Sequence, residues 1–173
     1  MPGSGKSPVV SAFKTRGFEA LNLGDGVRAE AKRRNLEPSG DNLGKLMLEL
    51  REKNGPGAIA ALLTEPIKNS QSKIIIIDGV RSTAEIEVLK NVGSVKLLSI
   101  EATSDTRYKF LSSRGRSDDP ATREKFEERD NRELGGGIGE SIAIPDETIS
   151  NSNITLDELT ELAYKVIEKW TDT

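Results

Sequence analysis

The sequence predicts an α/β fold in which a parallel sheet is covered by helices on both faces. Three observations lead to this prediction. Short apolar segments with strand character alternate with segments of helical periodicity, as in consecutive βα units. The candidate strand at 73–78 contains four consecutive isoleucines and is apolar on both faces, as covered parallel strands are. A glycine-rich loop directly precedes the first candidate helix.

The elements are predicted in chain order from apolar spacing and turn residues. Strands are expected at 18–23, 73–78, 95–100 and 147–150. Helices are expected at about 26–34, 58–63, 82–92, 105–114 and 120–134. A further helix has Leu43, Leu46, Met47 and Leu50 on one face, because residues three and four apart share a helix face. An apolar stripe that starts at Leu156 marks the final helix.

Composition excludes several chemistries and classes of partner. The chain has 173 residues, a length typical of one domain, and contains no cysteine and no histidine. Thiol nucleophiles, Ser–His–Asp triads and Cys/His zinc sites therefore lack their atoms. The net charge of −3 gives no general attraction to nucleic acid, so we expect no nucleic-acid partner. No apolar stretch approaches the roughly 20 residues of a membrane helix, so we expect a cytoplasmic protein without a membrane partner.

The first seven residues, M-P-G-S-G-K-S, contain most of a phosphate-binding loop, whose pattern is G-x-x-x-x-G-K-[ST]. Glycines allow backbone amides to converge on an anion. The lysine would contact the β- and γ-phosphates of ATP, and the serine hydroxyl would ligate Mg²⁺. The residues expected to form this loop are Pro2, Gly3, Ser4, Gly5, Lys6 and Ser7. The alternative is a flexible terminus or a tag remnant.

The loop pattern also leads to an expectation about the start of the natural protein. The first glycine of the pattern, and the strand that usually leads into such a loop, would both fall before Met1. We therefore expect the natural chain to begin upstream with several apolar β-branched residues and a glycine.

Acidic and basic residues follow two of the predicted strands. In α/β sheets, ligands bind at the carboxyl ends of strands, where Asp25 and Asp78 are expected. Asp78 is a candidate Mg²⁺ ligand, and Asp25 is either a site residue or the N-cap of the next helix. Arg28 and Arg81 follow them, and would form a fork for a second anionic substrate or exposed ion pairs. Gly79 stands where motor and transporter ATPases usually have a glutamate that activates water, so this base is missing at the expected place. No N-K-x-D guanine signature occurs, which argues against a GTPase.

A third group of charged residues lies between two predicted helices after the third strand. Arg107, Arg114 and Arg116 lead into R-G-R-S-D-D-P, a hinged connection of the kind that closes over a nucleotide. The alternative is a solvated helical hairpin in which Asp119 caps a helix beginning at Pro120.

These motifs together resemble the nucleoside-monophosphate-kinase branch of P-loop proteins. G-D-G-V-R-A-E is similar to the acceptor-binding T-G-D-x-x-R stretch of adenylate kinases, although Leu23 stands where their threonine does. I-D-G-V-R-S resembles their D-G-F-P-R-T, and D-E-T-I-S-N is similar to the A-D-Y-x-I-x-N of dephospho-CoA kinases. Nearly the whole chain resembles an archaeal family of P-loop proteins, described as dephospho-CoA-kinase-like, whose members share D-G-V-R-S, R-S-D-D and G-I-G-E.

The resemblance implies a fold, a set of ligands and residue roles. It implies a three-layer P-loop nucleoside-triphosphate-hydrolase fold over one domain, 1–173, with ATP and Mg²⁺ as ligands. An acceptor-binding helical segment would span about 26–68, and a lid about 107–134. By the resemblance, phosphate and Mg²⁺ bind at Gly3, Gly5, Lys6 and Ser7; the acceptor binds at Arg28 and Arg81; the lid arginines are Arg114 and Arg116; and Asn151 lies near the adenine.

The sequence therefore predicts an ATP-dependent phosphotransferase that acts on a small nucleotide-like acceptor. The candidate catalytic residues are Lys6, Asp25, Asp78, Arg114 and Arg116. A hydroxyl acceptor of the dephospho-CoA type would use Asp25 as a base, whereas the phosphate of a nucleoside monophosphate would rely on Arg28 and Arg81. The alternative is a regulatory module that binds ATP without turnover. The acceptor, the pathway and the oligomeric state stay open.

Overall fold

A computed structural model of the chain describes residues 1–115, 119–135, 138–142 and 144–171. In chain order the elements are α1 (Lys6–Thr15), β1 (Glu19–Asn22), α2 (Leu23–Arg33), α3 (Gly40–Asn54), α4 (Ala58–Ala61), α5 (Thr64–Asn69), β2 (Ile75–Asp78), α6 (Thr83–Lys90), β3 (Leu98–Glu101), α7 (Ser104–Arg114), α8 (Arg123–Gly135), α9 (Ile138–Ile142), β4 (Glu147–Ser150) and α10 (Leu156–Thr171).

The chain divides into two compact units. The terminal unit comprises Met1–Arg16 and Lys96–Thr173, and the internal unit comprises Gly17–Val95. The expected acceptor-binding segment lies in the internal unit, and the described part of the expected lid lies in the terminal unit. The assignment of all 173 residues to one domain stays a prediction.

The internal unit is built on a parallel pair of strands. β1 pairs with β2 in the register Glu19↔Ile75 to Asn22↔Asp78. The core of this unit is formed by buried apolar residues of α2, α3, α4 and α6 and of the adjoining turn. These residues are Leu23, Val27, Ala31, Leu46, Leu50, Ala58, Ile59, Ala60, Leu63 and Leu89. Leu46 and Leu50 belong to the face that the apolar spacing of α3 predicts.

The terminal unit contains the second parallel pair. β3 pairs with β4 in the register Leu98↔Glu147 to Glu101↔Ser150. α10 packs against α1, where the rings of Phe13 and Tyr164 stack with their centroids 6.3 Å apart. No helix in the described part of the chain is both long and apolar enough to cross a membrane.

The structure corrects two predicted helix starts. α2 begins at Leu23, because the Asn22 side chain accepts hydrogen bonds from the Gly24 and Asp25 amides and acts as the N-cap. Asp25 therefore lies in the first turn of α2, and is neither the end of a strand nor a cap. α8 begins at Arg123 rather than Pro120, and the Asp119 carboxylate binds Arg114.

Two further features differ from expectation. The short helices α5 and α9 lie outside the predicted helices. The isoleucines of β2 are half-buried rather than fully covered. Among the described residues, β2 pairs with β1 alone, so the second edge of β2 carries no strand.

Candidate functional site

In the terminal unit, the glycine-rich loop leads directly into α1. Gly3 has a φ of +79° and Gly5 a φ of +101°, a left-handed conformation that glycine adopts without steric cost. Gly5 is the N-cap residue of α1, and no side chain caps its first turn. The first amides of a helix have no partners within the helix and carry the positive end of its dipole. The loop and α1 therefore have the local structure of an anion-binding site.

The surroundings of this loop require glycine at both positions. A β-carbon at Gly3 would lie 2.8 Å from the carbonyl oxygen of Arg107, and one at Gly5 would lie 2.6 Å from Nδ2 of Asn151. Real β-carbons essentially never approach other atoms below 3.0 Å. The G-x-G spacing thus has two physical causes, the left-handed backbone and the close packing of the loop.

Positive charge is concentrated at the loop. The Lys6 ammonium donates to the Met1 carbonyl, with Nζ 2.6 Å from the oxygen, and to Oγ of Ser4 at 3.1 Å. The Ser7 side chain, in the first turn of α1, is exposed. An anion bound here would meet an ammonium, a hydroxyl and helix amides.

Two residues from other elements hold the backbone of the loop. Asn151 lies directly after β4, and its side-chain Nδ2 donates to the Ser4 carbonyl at 3.0 Å. Its backbone amide donates to the Glu101 carbonyl at 2.6 Å. The Arg107 guanidinium donates to the Pro2 carbonyl at 3.2 Å. The structure thus places Asn151 against the phosphate loop, and its expected role near an adenine stays a prediction.

The Arg107 guanidinium is itself held by a buried network. It binds both carboxylate oxygens of Asp130 on α8, one of them at 2.8 Å, and it lies over the ring of Phe126 with 4.8 Å to the centroid. The sequence pattern indicates Arg107 only as part of the predicted lid, and no motif indicates Asp130. The spacing within each helix gives no signal for this pair, because the two residues meet only when α7 packs on α8.

Only part of the predicted lid can be compared with the structure. Arg114 at the end of α7 binds the Asp119 carboxylate, with Nε 3.2 Å from Oδ2, and both side chains are largely buried. Arg116 lies outside the described residues. The Arg114–Asp119 pair joins the end of α7 to the connection that leads to α8, and its role toward a nucleotide stays a prediction.

In the internal unit, Asp78 is joined to the start of α2 by one side chain. Nδ2 of Asn22 donates to Oδ2 of Asp78 at 3.1 Å. Oδ1 of Asn22 accepts from the Gly24 amide at 2.7 Å and from the Asp25 amide at 3.3 Å. Asp78 is half-buried, and Asn22 is its single hydrogen-bond donor within the described ranges. Asn22 is not among the predicted site residues, although an asparagine before a predicted helix is a known capping signal.

The two arginines expected to hold the acceptor have different surroundings. Arg28 forms an ion pair with Asp25 one turn away, with Nη1 2.6 Å from Oδ1, and both side chains are more than half exposed. Arg81 is exposed, and its backbone amide donates to Oε2 of Glu85 at 2.8 Å. Glu85 is buried, and its other oxygen lies 3.5 Å from a guanidinium nitrogen of Arg51 on α3. Glu85 thus fixes the backbone that presents Arg81.

A cavity of about 370 Å³ opens beside Asp25. Its walls are mostly apolar, and the lining includes Leu21, Ala29, Leu62, Leu63 and Pro66. Asp25, Glu30 and Arg33 add charged groups to it. Hydrogen bonds from Arg33 and Arg34 lower the pKa of Glu30 to about 2. The Glu30 carboxylate therefore stays ionised and bound to its own arginines, which leaves Asp25 as the more accessible carboxylate of the cavity.

Each unit contains an oxygen donor of the kind that Mg²⁺ takes in proteins. Mg²⁺ is usually bound through one or two carboxylates together with substrate phosphates and water. Within the described residues, no three acidic side chains come together to hold a metal ion. Asp78 offers a carboxylate that is hydrogen-bonded on one oxygen, and Ser7 offers an exposed hydroxyl. Each of these groups, taken by itself, is of a type that ligates Mg²⁺ together with substrate phosphates.

Comparison with known proteins places this chain among P-loop domains. The AAA domain family matches residues 1–127, which include the glycine loop and the segments of Asp25 and Asp78. A UPF0200 protein of Methanothrix thermoacetophila is 41% identical over 98% of this chain and 93% of its own length. A UPF0200 protein of Pyrococcus abyssi is 40% identical over 88% of this chain and 84% of its own length. A UPF0200 protein of Hyperthermus butylicus is 37% identical over 99% of this chain and 91% of its own length. The predicted α/β P-loop fold and the resemblance to an archaeal P-loop family are confirmed.

Proposed function

The chain belongs to the UPF0200 family and contains a P-loop AAA domain, and on this premise we propose that it is an ATP-dependent phosphotransferase acting on a small nucleotide-like acceptor. The observation that carries the proposal is the loop at the start of α1. Two left-handed glycines, enclosed by packing, lead into an uncapped helix N-terminus that carries Lys6. This arrangement suits a nucleotide phosphate.

On the donor side, we assign the loop amides and Lys6 to the phosphates of ATP. Phosphoryl transfer depends mainly on positioning and on neutralising negative charge, so the absence of histidine is no obstacle. Ser7 and Asp78 would hold Mg²⁺, which when bound neutralises charge on the phosphates. Arg114 and Arg116 are proposed to approach the transferred phosphoryl group from the lid.

On the acceptor side, the cavity beside Asp25 favours an acceptor that presents a hydroxyl group. Asp25 lines this cavity and Arg28 does not. A carboxylate next to an apolar wall can accept the proton of a hydroxyl nucleophile, whereas it would repel an acceptor phosphate. Arg28 and Arg81 are then proposed to bind an anionic group elsewhere on the acceptor. We place the reaction in the cytoplasm, with a small molecule as its acceptor and no membrane or nucleic-acid partner.

A product screen tests this proposal. The protein is incubated with ATP, Mg²⁺ and separate pools of nucleosides, nucleoside monophosphates and dephospho-CoA, and products are identified by mass spectrometry. We expect ADP together with one product that is heavier than its precursor by a phosphoryl group. Lys6→Ala should abolish the product with every acceptor, and Asp25→Asn should abolish it with a hydroxyl acceptor. ATP binding without any phosphorylated product would instead favour a regulatory module.

A further inference from the structure

We propose that Asn22 is a positioning residue that orients the Asp78 carboxylate toward magnesium. The inference rests on the proposed function, because it takes Asp78 to be a metal ligand. Its basis is a contact that no motif assigns. The Asn22 side chain connects Asp78, the last residue of β2, to the first turn of α2, through its nitrogen on one side and its oxygen on the other.

The hydrogen-bond partners fix the orientation of the Asn22 amide. The backbone amides of Gly24 and Asp25 are donors, so the oxygen of the Asn22 side chain must face them. The nitrogen then faces Asp78, with Nδ2 3.1 Å from Oδ2. Asn22 and Asp78 are also direct partners in the parallel register of β1 and β2. The side chain is therefore held by the sheet, by the helix start and by the carboxylate.

The neighbouring glycine leaves space for this arrangement. A β-carbon at Gly24 would lie 2.9 Å from Oδ1 of Asn22, too close for the present position of the amide. With glycine at this position, the amide reaches the helix start and Asp78 at the same time. Among the described residues, nothing hydrogen-bonds to Oδ1 of Asp78, which leaves that oxygen available to a cation.

Asparagine combines two functions that the other good capping residues do not combine here. Serine, threonine and aspartate also accept hydrogen bonds from a helix start. A hydroxyl has its acceptor and its donor on one oxygen, and a carboxylate has no donor, whereas the amide of Asn22 accepts from the helix through Oδ1 and donates to Asp78 through Nδ2. An aspartate at position 22 would instead place a second carboxylate against Asp78. The choice of asparagine at position 22 therefore indicates that this residue orients the Asp78 carboxylate as well as capping α2.

The test compares variants that separate these two functions. Asn22→Ser keeps a capping oxygen and removes the separate Nδ2 group that contacts Asp78. Ser39→Ala is the matched control, since Ser39 caps α3 in the same unit through the Asn42 amide at 3.3 Å. Asp78→Asn tests the metal role itself. For each full-length protein, the Mg²⁺ concentration that gives half of the ATP-dependent rise in melting temperature is measured.

We expect Asn22→Ser to raise this Mg²⁺ concentration about tenfold or more, the usual effect of removing a residue that orients a metal ligand. Ser39→Ala should lower the melting temperature and leave the Mg²⁺ requirement unchanged. If Asp78→Asn raises the requirement and Asn22→Ser does not, the inference fails while the metal role of Asp78 stands. If Asp78→Asn has no effect, the metal role and the inference both fail. An equal rise in Ser39→Ala would also overturn the inference, because loss of a cap would then be sufficient.

Discussion

The phosphate loop of the terminal unit and the start of α2 in the internal unit differ in how their charged groups are held. At the loop, the Arg107–Asp130 pair is almost entirely buried, with side chains 8% and 16% exposed. At the start of α2, the side chains of the Asp25–Arg28 pair are 69% and 58% exposed. The first pair supports a backbone, and the second lies at the surface where water competes for both partners.

This difference suggests that the two regions respond to ligands in different ways. The loop is fixed before any ligand binds, because Asn151 and Arg107 donate hydrogen bonds to its carbonyl groups. Its glycines are also packed so closely that a β-carbon at Gly3 or Gly5 would clash. Separation of the exposed Asp25–Arg28 ion pair costs little free energy, so an acceptor can replace Asp25 as the partner of Arg28. We therefore expect changes near the loop to cost stability, and changes at the start of α2 to affect mainly the acceptor.

Asp130→Asn should have the largest effect on stability. Removal of one partner from a buried ion pair leaves an uncompensated charge, here Arg107, and typically costs about 3–5 kcal/mol. Urea unfolding measures the loss. Asp105→Asn is the control, because Asp105 pairs with the exposed Arg123 and should leave the unfolding midpoint almost unchanged. Similar losses in both variants would show that the Arg107–Asp130 pair has no special role.

Gly5→Ala should cause the second-largest loss of stability. A left-handed alanine costs roughly 1–2 kcal/mol, and overpacking against Asn151 adds about 1–3 kcal/mol. Gly17→Ala is the matched control, because Gly17 has a φ of +90° and open space around it. Thermal unfolding should therefore show a clearly greater loss for Gly5→Ala. Equal losses would mean that the backbone conformation, and not the packing of the loop, requires glycine.

Glu30→Gln should destabilise the internal unit in a pH-dependent way. The pKa of Glu30 is lowered in the folded protein to about 2 from an ordinary value of 4.5 by hydrogen bonds from Arg33 and Arg34. Its stabilising contribution is therefore complete above pH 4.5 and decreases as the pH falls toward 2. The difference in unfolding free energy between wild type and variant should shrink over that range. A difference that is independent of pH would contradict this account.

Arg28→Ala should have the smallest effect on stability, below about 1 kcal/mol, because exposed ion pairs contribute little. If Arg28 binds the acceptor, KM for the acceptor should rise while the affinity for ATP stays unchanged. Lys32→Ala, one turn further along α2, is the control and should change neither quantity. Loss of ATP affinity in Arg28→Ala would contradict its assignment to the acceptor.

The sequence predicted those features that depend on local pattern. β4 has the predicted bounds, Glu147–Ser150, because the strand formers Thr148 and Ile149 lie between turn residues on both sides. The N-cap of α2 was missed because asparagine and aspartate are equally good caps, and only the hydrogen bonds from the Gly24 and Asp25 amides identify Asn22 as the cap. The predicted start of α8 was wrong because Thr122 caps this helix, its hydroxyl accepting from the Lys125 amide at 3.3 Å, while the Asp119 carboxylate binds Arg114.

The candidate site was predicted less completely than the fold. The glycine loop is visible in seven residues, whereas Arg107, Asp130 and Asn22 acquire their roles through neighbours that are remote in the sequence. Glu85 had a local signal, since Ser82 and Glu85 have the spacing of a capping box, and the Glu85 amide donates to the Ser82 hydroxyl at 3.3 Å. The strand and glycine expected ahead of Met1 stay a prediction.

Calorimetric titration with ATP and Mg²⁺ tests the central claim most directly, namely that the loop before α1 binds the phosphates of a nucleotide. Wild type, Lys6→Ala and the control Lys14→Ala are compared, since both lysines are on α1 and Lys14 is exposed in its last turn. We predict binding of one ATP to wild type and to Lys14→Ala, with the affinity of Lys6→Ala reduced by at least tenfold. Equal affinities in all three proteins would contradict the assignment of this loop to the nucleotide phosphates.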